Sequence, residues 1–209
     1  MSGDGPVHGN LDRHLGHLAE DGVLSRARAR GDELGAEPVE PAEGAVLRFL
    51  ASTLRARAVA EIGTGAGVSG LWLLLGMTPD GVLTSIDVEP EHLRAAREGF
   101  REAGYPTSRL RLIHGVALDV LRRLADGMYD LVFADAVLVE YPLYLTEAVR
   151  LLRPGGVVVL RGMPDPDEHP SHAPEVRAVR EVLRRCAEED ELVVLPLVLG
   201  EGLLLITRR

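Results

Sequence analysis

The chain of 209 residues contains no lysine and no glutamine, one asparagine (Asn10) and one cysteine (Cys186). Each absence removes a class of chemistry. All 23 basic residues are arginine, so no lysine can form a Schiff base, act as a base or anchor a phosphate, and a Walker-type P-loop is excluded. A lone cysteine precludes an intrachain disulfide and any zinc site built on cysteines. Positive charge is also scarce. The net charge is −9 and basic residues form no long run, which argues against nucleic acid and anionic membrane as partners, both of which bind through positive potential. No apolar run approaches the roughly 20 residues that span a bilayer. The opening MSGDGPVHGN has neither the basic nor the apolar region of a secretory signal. The expected location is cytoplasmic.

What is present is the composition of a soluble globular protein, 46% hydrophobic and 26% charged, in a length that suits one domain. Residues 10–35 read as helical with a break near Glu-Asp-Gly. AEPVEPAEG leads into AVLRFLASTL, whose apolar residues recur at helical spacing. From residue 58 short apolar runs alternate with amphipathic stretches. The runs are AVAEIG, GVLTSID, RLRLIHG, YDLVFAD, GVVVLRG, ELVVLPL and GLLLIT; helix-like segments such as EPEHLRAAREGFREAG, ALDVLRRLAD, PLYLTEAVRLLRPGG and APEVRAVREVLRRCAEED lie between them. Strands alternating with helices predict a mostly parallel sheet covered on both faces. Only VLGEG separates the last two runs, which predicts an antiparallel hairpin. The expectation is a single α/β domain, a helical cap over about 1–37 and a core over about 38–209.

The first strand runs into EIGTGAGVSG, residues 61–70. Glycines at such a turn let the backbone approach a ligand, and the following helix offers unpaired N–H groups. Gly65, Gly67 and Gly70 satisfy G-x-G-x-x-G, with Asp87 20 residues beyond Gly67 at the end of the next strand, where a carboxylate can accept from ribose hydroxyls. That much suits a nicotinamide cofactor as well as other adenosine cofactors. Glu61 tips the balance, because a carboxylate just before the first glycine is unfavourable beside a pyrophosphate. The turn reads E-x-G-x-G-x-G, YDLVFADA brings Asp135 to the end of strand four, and LLRPGGVVVL follows.

This set resembles the class I S-adenosylmethionine-dependent methyltransferases. AEPVEPAEGAVLRFLA, EIGTGAGVSGLWL, TSIDVEPEHLRAAREGF and YDLVFADAVLVEYPLYLTEAVRLLRPGG are similar to their catechol O-methyltransferase-like family. The resemblance implies a Rossmann-like, doubly wound seven-stranded sheet with one reversed strand. It also implies an O-methyltransferase acting on a small, aromatic hydroxyl compound, and a homodimer. By the same resemblance Val39 lies near the methionine part of S-adenosyl-L-methionine, and Glu61 belongs to the glycine-loop site. Gly63 and Thr64 line the cofactor with their backbone, Gly65 and Gly67 complete the turn, and Ser69 holds the carboxylate. Asp87 takes the ribose hydroxyls, Ala117 lies beside adenine, and Asp135 sits near the sulfonium and amino groups.

The chain departs from that family in its acceptor half. Where the family's metal-dependent members carry an Asp-Asn pair after strand five, this chain has Arg161 and Gly162. Where they carry a lysine after the strand-four aspartate, it has Val137 or Leu138. Magnesium needs several oxygen ligands, and Asp135 beside an arginine offers one carboxylate and a repelling charge, so no divalent metal is expected. Asp135 and Arg161 are the candidate catalytic pair, Arg161 serving either a substrate anion or Asp135 itself. A guanidinium can stabilise an oxyanion but is too basic to accept a proton; His169 and His172 on the adjoining loop are candidate bases. His8, His14 and His17 read as surface residues. Two other readings stay open: a non-catalytic cofactor-binding protein, and a nicotinamide-dependent oxidoreductase resting on G-x-G-x-x-G and Asp87 alone.

Overall fold

A computed structural model describes residues 20–164, 166 and 173–208. Two helices come first, α1 (Gly22–Leu34) and α2 (Pro41–Thr53). The alternating part then runs β1 (Ala58–Ile62), α3 (Val68–Gly76), β2 (Val82–Asp87), α4 (Pro90–Glu102), β3 (Leu110–His114), α5 (Ala117–Leu121) and β4 (Tyr129–Ala134). It continues through α6 (Tyr141–Leu151), β5 (Leu152–Arg161), α7 (Pro174–Glu188), β6 (Leu192–Leu197) and β7 (Leu203–Arg208). All seven strands join one sheet in the order β3-β2-β1-β4-β5-β7-β6. The first five strands pair in parallel, and β7 runs antiparallel to both β5 and β6. The doubly wound sheet with one reversed strand is therefore as the sequence predicts.

Alternation along the strands sorts the core into two layers. Ala60, Ile62, Val132, Ala134, Val158 and Leu160 pack towards α5, α6 and α7, while Val59, Leu131, Phe133 and Val159 pack towards α1 to α4. That period of two decides where the strand ends point. Asp135 follows Phe133, and Arg161 follows Val159, at the same parity, so both side chains leave the sheet on the face that α2 covers.

Helix α1 begins at Gly22, at the break read near Glu-Asp-Gly, capped by Asp21, whose Oδ1 accepts from the Val23 and Leu24 amides at 2.9 Å; the helical reading of residues 10–19 lies outside the described residues. Two local expectations are corrected. The stretch ALDVLRRLAD is helical only over Ala117–Leu121. In LLRPGGVVVL the helix ends at Leu151 and β5 starts at Leu152, with a register shift opposite Tyr129 and Leu131 that absorbs Pro154 and the glycines inside the strand. The five histidines considered from sequence, His8, His14, His17, His169 and His172, lie outside the described residues.

Candidate functional site

The C-terminal ends of β1, β2, β4 and β5 meet at one edge of the sheet, where strand order reverses about β1. A cavity of about 380 Å³ opens there. Of the residues singled out from sequence, Val39, Gly63, Thr64, Gly65, Ser69, Asp87, Asp135 and Arg161 all line it. Glu61, Gly67 and Ala117 do not reach its wall. Glu61 is wholly buried behind Ser69, Gly67 is the N-cap of α3, and Ala117 belongs to the core at the start of α5. Among the lining residues that sequence reasoning missed are His92, Glu89, Glu37 and Pro38. His92 lies five residues past Asp87 on α4, one turn into a helix whose start was legible, and that spacing could have found it.

Gly63 makes the turn possible. Its φ is +88°, its N–H donates to the Ile86 carbonyl at 2.9 Å, and a Cβ there would sit 1.9 Å from the Asp135 carbonyl oxygen. Beyond the turn, Gly67 at φ +85° lets α3 start against Ala96 and Phe100 of α4.

Asp87 is already engaged by the turn. Its Oδ2 accepts from the Thr64 and Gly65 amides, both at 3.0 Å, and lies 3.2 Å from His92 Nδ1, while Oδ1 accepts from the Glu89 amide at 2.8 Å. The carboxylate thus fixes the glycine loop and keeps lone pairs on Oδ1 for a further donor. Ser69 is engaged too: its hydroxyl donates to Glu61 Oε1 at 2.6 Å, and Ser85 donates to Oε2 at 2.5 Å. Burial pushes the Glu61 carboxyl up to about 7, against the pull of the two serine hydrogen bonds.

At the end of β5 Arg161 is 6% exposed, and its guanidinium is divided between two carboxylates. Nε donates to Glu43 Oε2 at 3.0 Å; Nη1 donates to both oxygens of Asp135, at 3.1 and 3.2 Å, and to the Glu37 carbonyl at 3.3 Å. Burial opposes the guanidinium charge, but Asp135 and Glu43 outweigh it and raise its pKa. Burial likewise raises the Asp135 carboxyl, with Arg161 pulling the other way. Tyr141 on α6 donates its hydroxyl to the Arg161 carbonyl at 2.6 Å, tying the end of β5 to that helix. Val137 occupies the cavity wall where a lysine was sought, and Leu138 opens a short 3-10 turn.

A second, more polar cavity of about 750 Å³ shares Glu37, Pro38 and Arg161 with the first. Glu20, Arg28, Asp32, Glu40, Pro41 and Glu201 complete its wall. The two spaces meet at Glu37, Pro38 and Arg161, and Asp135 lines the first of them.

The match to known proteins covers nearly the whole chain. The family model described as O-methyltransferase matches residues 23–209. A Mycobacterium tuberculosis protein carrying the name O-methyltransferase Rv1220c is 52% identical, over 92% of this chain and 88% of its own. Among solved structures, the O-methyltransferase TomG of Streptomyces achromogenes, in complex with SAM and described as involved in tomaymycin synthesis, superposes with a TM-score of 0.83. It is 31% identical, covering 94% of this chain and 95% of its own. Cofactor-bound Rv0187 of M. tuberculosis is also 31% identical with a TM-score of 0.83, over 99% of both chains. With the fold, the glycine turn and the strand-end carboxylates in place, the chain belongs to the O-methyltransferase family.

Proposed function

We propose that this O-methyltransferase uses S-adenosyl-L-methionine to methylate a hydroxyl of a small aromatic acceptor, without a divalent metal. The observation that carries the reading is the placement of Asp87 and Asp135 on either side of the Gly63–Gly67 turn, in one cavity. The donor set suits this cofactor: carboxylates favour a ribose diol, an ammonium and a sulfonium, and would repel a pyrophosphate, which leaves the nicotinamide reading without support. When bound, the cofactor supplies a methyl group already activated by positive sulfur.

The residues of the chain do the rest. Asp87 stiffens the glycine turn and offers Oδ1 to the ribose, and Ser69 and Thr64 flank the amino-acid portion. Asp135 faces the acceptor hydroxyl, and its carboxylate takes the proton as the oxygen lone pair forms the new C–O bond. The methyl carbon would come from the bound cofactor, which keeps the C–S bonding pair, so the transfer balances. Arg161 Nη1 orients Asp135, and alignment of oxygen, carbon and sulfur supplies much of the acceleration. Metal independence is supported by the guanidinium of Arg161 standing directly beside the Asp135 carboxylate. A homodimer in the cytoplasm completes the reading, its self-association supported by Val193 and Leu195 exposed on the outermost strand and Phe49 exposed on α2.

One observation favours the second reading, binding without turnover: Arg161 is already spent on two carboxylates. Methyl transfer from S-adenosylmethionine to a panel of phenols and catechols, with and without EDTA, separates the possibilities. Turnover that survives EDTA is expected. Turnover abolished by EDTA and restored by magnesium would end the metal-free reading, and cofactor binding with no turnover on any acceptor would favour the second.

A further inference from the structure

Among the buried carboxylates that the mechanism above does not use, Glu43 is the one in contact with Arg161. Glu43, in the first turn of α2, is 0% exposed, and an ionic group so placed is costly to desolvate unless it is paired. Its oxygens are occupied from three directions. Oε2 accepts from Arg161 Nε at 3.0 Å and from the Glu40 amide at 2.7 Å, and Oε1 accepts from the Glu201 amide at 3.1 Å. The carboxylate therefore joins the start of α2, the end of β5 and the turn between β6 and β7, all behind the guanidinium that holds Asp135.

We propose that Glu43 is a positioning residue for methyl transfer: it fixes the plane of the Arg161 guanidinium and shares its charge, so that Asp135 is oriented by Arg161 yet stays available as a proton acceptor.

The geometry gives the reason. A guanidinium clamped at Nε can rotate little about its long side chain, so Nη1 meets Asp135 at a fixed angle. The charge balance matters as much. With Asp135 as sole partner, Arg161 would neutralise it and hold it as a structural ion pair; with Glu43 opposite, one cation is divided between two anions. The groups that face Asp135 are Arg161 on β5, Glu43 on α2, Glu37 before α2, Glu61 on β1 and Tyr141 on α6. Of these, Arg161 alone carries positive charge, and Glu43 acts against it on Asp135.

This inference rests on the proton-accepting role given to Asp135, and its test keeps the two apart. Glu43→Gln preserves shape and removes charge; Glu43→Asp preserves charge and shortens the reach. Two readouts are needed: the pH–rate profile, and the titration of the Asp135 carboxyl carbon by NMR in the protein saturated with S-adenosylhomocysteine, assigned with Asp135→Asn. In Glu43→Gln the Asp135 titration and the acid limb should both move to lower pH, with plateau kcat down about tenfold, a part of the roughly 10²–10⁴ that a positioned proton acceptor contributes. In Glu43→Asp the acid limb should stay while kcat falls by a similar factor and cofactor Kd is retained within about twofold. An Asp135 titration unmoved by Glu43→Gln would overturn the proposal, whether or not turnover is measurable. If Glu43→Gln fails to fold, Glu43→Asp decides, and wild-type kcat in that variant overturns it. An acid limb that Asp135→Asn leaves intact instead removes the role of Asp135 itself.

Discussion

Burial of the Glu61 carboxyl behind Ser69 and Ser85 makes stability depend on pH in a defined direction. An unfolded glutamate titrates near 4.3, whereas the folded group is pushed up to about 7. Between those values the unfolded chain releases a proton that the folded chain keeps, so this group's contribution to stability falls as pH rises through the window and levels off above 7. Glu61→Gln should flatten that slope, narrowing the difference in unfolding free energy between pH 5 and pH 8 by on the order of 3 kcal/mol. Urea unfolding of both proteins at the two pH values measures it, and parallel pH dependences would refute it. Glu61 itself was legible from its place before the glycines. Its partner Ser85 was not, because opposing Glu61 to Ser85 is a matter of β1–β2 register, which local sequence does not state. The same holds for Arg161: its type and place at a strand end were readable, but the second carboxylate, Glu43, comes from 118 residues away.

At the scale of elements, the site depends on how β4 and β5 end against α6. Tyr141, 1% exposed, donates to the Arg161 carbonyl at 2.6 Å and lies 3.3 Å from that of Ala134, so one hydroxyl holds both strand ends. Tyr141→Phe should cost about 1–2 kcal/mol, as expected for buried carbonyls left short of a donor. It should also lower kcat more than it weakens cofactor binding, since Asp135 and Arg161 shift while the glycine turn does not. Chemical denaturation and isothermal titration with S-adenosylhomocysteine together check this; unchanged stability would show that other donors replace the hydroxyl. Element identity was largely legible, because strands of period two and amphipathic helices announce themselves. Boundaries were less so. Pro154, Gly155 and Gly156 read as a turn, and it is pairing with β4 across a register shift that draws them into β5.

For the whole molecule, the order of strands was foreseeable only in outline, through alternation and the final hairpin; which strands neighbour which is fixed by long-range pairing. The proposed homodimer belongs to this scale. Sedimentation equilibrium should give twice the 22.6 kDa chain mass. Charged substitutions at Val193 and Leu195 should halve it if the outer strand forms the interface, and a monomeric wild type would dismiss the assembly.

The position of β7 between β5 and β6 also bears on how the chain is made. Synthesis delivers β6 before β7, yet β6 has no neighbour in the sheet until β7 has slid in beside β5. Until that pairing forms, Leu192, Val193, Val194 and Leu195 are an unpaired apolar ribbon, the kind of segment that seeds aggregation. Pro196, which has no N–H to offer a wrong partner, lies in that ribbon and blunts it while it waits.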